Sequence, residues 1–367
     1  MRSVILLSFF VVACGGGGTD DTGDSASAVA VPEFGADLNP QYTVVGTQSD
    51  GLATPRDLGF HPRRNEIWVV NRLTDGVVIY SDPGTPDQIA DEQIDSYANH
   101  FMEEVSSMAW GDTSDDDPNE EAFGSCQESR NTYDGQGMPN DFMGPTLWPG
   151  DRSVFAKANQ NSRVKLGSHL DMLHASPMCM GIAHDSGNAY WVFDGRNGHL
   201  VYYDYQADHG PGGDFHGDGI IRRYSDVELN RKKDIPGHLQ LDKETGLLYI
   251  ADTGTGRVLE VDTATGSVSG NIPQTMEPLE EYSRVEGTEF RALVEGLDRP
   301  SGLVLHGGTL FVGEYGTAQI IAFNLDGEEL GRIQTTADSL FGLEVGPDGH
   351  LWYVDGEANE LVRVDPN

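Results

Sequence analysis

Positive charge is scarce in this chain: 23 Lys and Arg stand against 59 Asp and Glu, a formal net charge of −36. Such an excess repels nucleic acid and anionic lipid surfaces, so neither is expected as a direct partner. Cysteine is rarer still, with three in 367 residues, too few for a disulfide-built scaffold. No stretch approaches the roughly 18 consecutive apolar residues of a membrane-spanning helix. The sequence also lacks a phosphate-binding loop, a dinucleotide fingerprint, a Gly-x-Ser-x-Gly elbow and a Ser-His-Asp order. What it does have is 46 Gly, 18 Pro and 38% hydrophobic residues. That apolar share excludes wholesale disorder, and glycine without a three-residue period excludes collagen. The length allows one large domain or two ordinary ones.

The start of the chain carries an address. Met1-Arg2 is a short basic beginning, Val4 to Val12 is apolar but too short to span a bilayer, and Val11-Val12-Ala13-Cys14 follows. This order resembles a bacterial lipobox, which implies cleavage before Cys14 and diacylglycerol on its thiol. Residues 1–13 would be the lipoprotein signal and 14–38 the lipidated cysteine with a flexible tether. The tether is expected because 15–31 (GGGGTDDTGDSASAVAV) has no apolar period. Residues 39–367 remain for the folded domain. Gly15 stands where some bacteria place the Asp that retains a lipoprotein in the inner membrane. The expected location is therefore the cell envelope, at the outer membrane or cell surface, with the lipid on Cys14 as the sole anchor. Lipidation of Cys14 leaves Cys126 and Cys179 as a candidate disulfide in an oxidising compartment, with free or metal-binding thiolates as the alternative.

Internal repeats carry the fold. Residues 55–72 (PRDLGFHPRRNEIWVVNR), 180–195 (MGIAHDSGNAYWVFDG), 237–253 (GHLQLDKETGLLYIADT), 301–315 (SGLVLHGGTLFVGEY) and 341–356 (FGLEVGPDGHLWYVDG) share one pattern. Each has a short apolar strand, a polar turn and an aromatic-rich strand ending in Asp, Glu or Asn, with another strand after it. Alternation at period two with turn residues between reads as antiparallel β. An irregular sixth copy starts at Ser106, continues through 122–127 and returns at 144–149. The residues preceding the first apolar positions are Asp57, Ser107, Gly181, His238, Gly302 and Gly342, spaced 40 to 74 apart as in a stretched propeller blade. Six such copies resemble an NHL-repeat six-bladed β-propeller. Too few residues follow Gly342 for four strands, so 41–47 (QYTVVGT) is expected to close the last blade and leave no open sheet edge. In that topology Cys126 and Cys179 fall on the upper face of adjacent blades, as a disulfide needs.

The same topology sorts the polar residues. His100, His169, His174 and His238 are expected at the upper face, and 167–180 (GSHLDMLHASPMCM) is the densest chemistry in the chain. Imidazole with carboxylate suits zinc, and imidazole with thioether suits copper. His169, His174 and His238 are therefore a candidate metal set, with His100 or Asp57 as a fourth ligand. Hydrogen-bonded loop histidines among core methionines are the alternative. Pro236-Gly237-His238-Leu239 resembles a ligand position of the amidating lyases that cleave peptidyl-hydroxyglycine, NHL-like propellers with zinc over the channel. The other blades do not repeat that histidine. If the site is catalytic, Glu104 or Tyr133 would transfer the proton in a metal-dependent lyase or hydrolase. The Gly-rich segment 204–219 holds Asp204, Asp208, Asp214 and Asp218, oxygen ligands that suit calcium on what is expected to be the lower face. The sequence thus points to a monomeric, envelope-anchored propeller that binds a small molecule, peptide or envelope protein, with a metal enzyme as the alternative.

Overall fold

The computed structural model describes residues 31–35, 38–113, 119–133, 137–274 and 276–367. The signal, Cys14 and nearly all of the tether lie outside them. Six antiparallel sheets follow one another along the chain, each built of four consecutive strands except where noted below. Their innermost strands are Pro55–Phe60, Val105–Thr113, Cys179–His184, Leu239–Asp242, Pro300–His306 and Leu340–Val345. Each touches the innermost strand of the next blade, and the sixth touches the first, so the ring closes.

Composition explains why the blades can pack so tightly around the axis. A Cβ on Gly181 would stand 2.0 Å from the Gly237 carbonyl oxygen, and one on Gly342 would stand 2.7 Å from Cα of Asp57. Only glycine lets neighbouring inner strands approach so closely. The second strands are buried throughout, as in Glu66–Asn71 and Ala189–Asp194, because both their faces meet neighbouring blades. Trp68 is fully buried with its ring centroid 5.1 Å from Trp110 and 5.5 Å from Phe123. Acids at the ends of second strands cap turns: Asp194 Oδ1 accepts from the backbone N–H groups of Arg196 and Asn197.

Gln41–Gly46 pairs antiparallel with Glu360–Asp365 and completes the last blade, as the sequence requires. Thr43 Oγ1 donates to Asp365 Oδ2 across this seam (2.6 Å). Pro32–Phe34, within the stretch read as tether, packs on the ring: Phe34 meets Phe311 edge-on, and Glu33 Oε1 accepts from His350 Nδ1. Cys126 and Cys179 form the disulfide, with Cα atoms 5.1 Å apart.

One element is absent from the sequence reading. Between the third and fourth strands of blade four, Arg257–Asp262 and Phe290–Glu295, the chain makes a hairpin of Ser267–Asn271 and Glu281–Glu286. Its second strand pairs in parallel with Ile220–Glu228 of blade three, extending that sheet to six strands. Ser267–Asn271 is wholly exposed, so no alternation of apolar residues marked it. Among the described residues no helix is long and apolar enough to cross a membrane.

Candidate functional site

Two places gather chemistry. The first is the central channel, where a cavity of about 300 Å³ is lined by residues of all six blades, including Asp57, Met108, Ile182, His238, Leu303 and Glu344. Blades one and four face each other across a six-membered ring. His238 of blade four reaches Asp57 of blade one, with Nδ1 3.7 Å from Oδ1. Asp57 also ties its own neighbour, because Oδ2 accepts from the Met108 backbone N–H at 2.9 Å. The Nε2 atom of His238 is buried with no hydrogen-bond partner. Burial pushes the Asp57 carboxyl up to about 7 and the His238 imidazole down to about 4. Glu344, half-buried, is likewise pushed up to about 7 by burial, with Asp57 adding to the effect. Near neutral pH the channel therefore presents two titrating carboxyls beside the uncharged His238, and the same cavity is also lined by His184 and Lys243, whose Nζ lies 2.7 Å from His184 Nδ1.

The segment leading into blade four, residues 231–236, reaches across to blades one and two like a lid, and none of its residues lines the cavity. Arg56 donates to the Asp234 carbonyl oxygen, and Arg72 Nη2 bonds both Asp234 Oδ1 (2.9 Å) and Glu104 Oε2 (2.7 Å). Glu128 Oε1 accepts from Arg231 (2.7 Å) and from the Asp234 N–H (3.0 Å). Ile235 is buried beneath, in a cluster with Leu58 and Phe341. Glu104, read as a proton-transfer group, is thus part of the lid's ion pairs. Tyr133, its alternative, is exposed and lies beside His100 at 5.5 Å between ring centroids. Neither lines the cavity.

The second place is the outer edge of blades two and three. The candidate set His169, His174 and His238 is not brought together. His238 lies in the channel, and the edge strand Asp171–Met172 separates the other two. His169 stacks on Phe101 at 3.7 Å and donates Nδ1–H to the Leu166 carbonyl, while burial pushes its imidazole down to about 4. His174 stacks on Phe142 at 3.5 Å, and its ring lies 5.7 Å from that of His100. It is held at two points by Glu277, whose Oε1 accepts from the His174 backbone N–H (2.8 Å) and whose Oε2 accepts from Nδ1 (2.7 Å).

The Gly-rich loop expected on the lower face folds back onto this edge instead. Gly212 makes that approach with φ 76°, where a Cβ would stand 2.8 Å from the Gly167 carbonyl oxygen. His216 of this loop donates Nδ1–H to Asp171 Oδ1 (2.8 Å), and His209 Nε2 lies 3.0 Å from Asp218 Oδ1. Burial would lower the His216 imidazole, but the Asp171 hydrogen bond and the Glu277 charge outweigh it and raise it. Burial likewise raises Asp171, whereas His174 and His216 hold Glu277 low against its burial. The four candidate calcium ligands do not converge. Asp204 bonds Gln206, Asp208 is buried, Asp214 is exposed, and Asp218 serves His209. Glu277 and His216 were missed as partners of His174 because the hairpin and the returning loop that carry them have no signal in local sequence.

No protein-family model matches the sequence, and neither does any curated protein. Solved structures do resemble it. An auxiliary nutrient binding protein from Bacteroides thetaiotaomicron superposes with a TM-score of 0.52 at 10% identity, over 84% of this chain and 68% of that one. The chain is a six-bladed β-propeller. A streptogramin B lyase gives 0.50 at 11% identity, over 90% and 99%. The virginiamycin B lyase of Staphylococcus aureus gives 0.50 at 9% identity, over 89% and 100%. At these identities the likeness is one of fold, and function rests on the residues.

Proposed function

We propose that this propeller is a lipid-anchored module of the bacterial cell envelope that binds a small ligand with a cationic head in its central channel. The observation that carries this reading is the pair of carboxyls, buried Asp57 and half-buried Glu344, facing one cavity beside the uncharged His238. A polyanionic surface concentrates cations at the mouth, and an ammonium group satisfies a desolvated carboxylate. The lipobox-like Val11-Val12-Ala13-Cys14 supports the anchor.

Choline, putrescine and lysine amide are suitable probes. At about pH 8 the carboxyls are ionised, and at least one probe is expected to bind by calorimetry. At about pH 6, a unit below the pKa of each acid, affinity should fall about tenfold, and Asp57→Asn with Glu344→Gln should abolish it. Equal binding by the double variant, or none by the wild type at millimolar probe, would overturn the channel reading. A second reading, turnover as a lyase or hydrolase, is favoured by the near-neutral values of the same two acids, which suit general acid–base work. Mass spectrometry separates the two, since a binding protein returns its probe unchanged.

The anchor has its own test. Cys14→Ser is expected to move the protein from the membrane pellet to the soluble fraction and to remove palmitate label. A variant that still sediments with membranes would refute lipidation.

A further inference from the structure

Outside the channel, one cluster is built like a metal centre. Among the described residues, two groups place three ligand atoms within 4.8 Å of one another: His174, His216 and Glu277, and His61, Glu120 and Glu121. Their surroundings differ decisively. The second is already neutralised, with Arg63 on Glu121 and Arg64 on Glu120. In the first, no Lys or Arg among the described residues pairs with Glu277 or with Asp171 behind His216.

Two further features point to a ligand. His174 is only 3% exposed, yet its Nε2 is buried without a hydrogen-bond partner, as is Asp171 Oδ2. Buried polar atoms are rarely left unpaired, and these orphans mark a polar cluster that lacks its full set of partners. His216 is also pre-oriented by a carboxylate at its Nδ1, Asp171 Oδ1, which leaves Nε2 as its ligand atom. Carboxylates behind imidazoles are how proteins fix histidine ligands and raise their basicity. A pocket of about 200 Å³, lined by His174, Glu277, Asp141, Met276 and Tyr282, opens onto the cluster and gives an ion access.

We infer that His174, His216 and Glu277 bind one divalent ion of the zinc class at the outer edge of blades two and three, with Asp171 as the positioning residue for His216. Two imidazoles and a carboxylate match zinc, whose bonds of about 2.0–2.1 Å set tetrahedral ligands about 3.4 Å apart; the ion would replace the 2.7 Å hydrogen bond between His174 Nδ1 and Glu277 Oε2, with the three ligand atoms already within 4.8 Å of one another. The hairpin that supplies Glu277 thereby gains a role, since it brings the carboxylate of blade four onto the histidines of blades two and three.

The full chain, stripped with EDTA and titrated with zinc by calorimetry, is expected to bind one equivalent. His174→Ala and His216→Ala should each weaken binding by about 100-fold or more, and Asp171→Asn by about 10–100-fold. Independently of any variant, cobalt loading of the wild type should give the visible spectrum of a four-coordinate nitrogen–oxygen site. Absence of a tight equivalent, a six-coordinate hydrated cobalt spectrum, or full retention of affinity in folded His174→Ala would each overturn the assignment. Loss of zinc in His238→Ala alone would also overturn it, by moving the ion to the channel.

Discussion

Replacing Arg223 with methionine is expected to destabilise the protein by about 3–5 kcal/mol, the usual cost of stranding one member of a buried ion pair. Arg223 and Asp194 have side chains 8% and 0% exposed, joined at 2.6 Å between Nη1 and Oδ2. Burial opposes the charge on Arg223, but Asp194 beside it more than compensates and raises its pKa. Asp194 also holds the turn after its strand through the N–H groups of Arg196 and Asn197, so methionine leaves that turn around an uncompensated carboxylate. The other Arg223 nitrogen, Nη2, donates to the Ala175 carbonyl (2.6 Å), next to His174. Urea denaturation near pH 7 measures the loss, and zinc affinity should fall in parallel. A loss below about 1 kcal/mol would mean that the turn N–H groups alone sustain Asp194.

Removing the Cys126–Cys179 bridge is expected to cost nearly as much. The bridge joins blades two and three across a sequence separation of 53. Freeing a loop of that length in the unfolded chain is worth about 4 kcal/mol on the chain-entropy model. Both cysteines are fully buried, so Cys126→Ala/Cys179→Ala is the fitting variant, and reduction of the wild type should give the same shift in urea midpoint. If reduction leaves the midpoint where it was, the ring itself restrains these strands and the covalent link is redundant.

Most of the fold is written in local pattern. The aromatic strands ending in acid, the intervening polar turns and the residues before each inner strand are all read within a dozen neighbours. The closing strand follows from counting, because the last blade is one strand short. The candidate site is less legible for physical reasons. His238 meets Asp57 only because a six-bladed ring sets blades one and four opposite each other, a separation no spacing rule measures. The sequence singles out His174 by its place in the dense segment 167–180. Its carboxylate partner, however, comes from a hairpin whose first strand is too exposed to leave a pattern. The Gly-rich loop was placed by topology alone, which fixes where a loop leaves its strands but not which way it folds afterwards.

The seam between Gln41–Gly46 and Glu360–Asp365 has a mechanical meaning. These two strands come from opposite ends of the chain and pair antiparallel with Gln41 beside Asp365, so tension on the N-terminal segment falls on the same hydrogen bonds that complete the last blade. Assembly carries a further consequence: Gln41 must wait for Asp365 before the last blade is complete, so closure of the ring is the final event of folding.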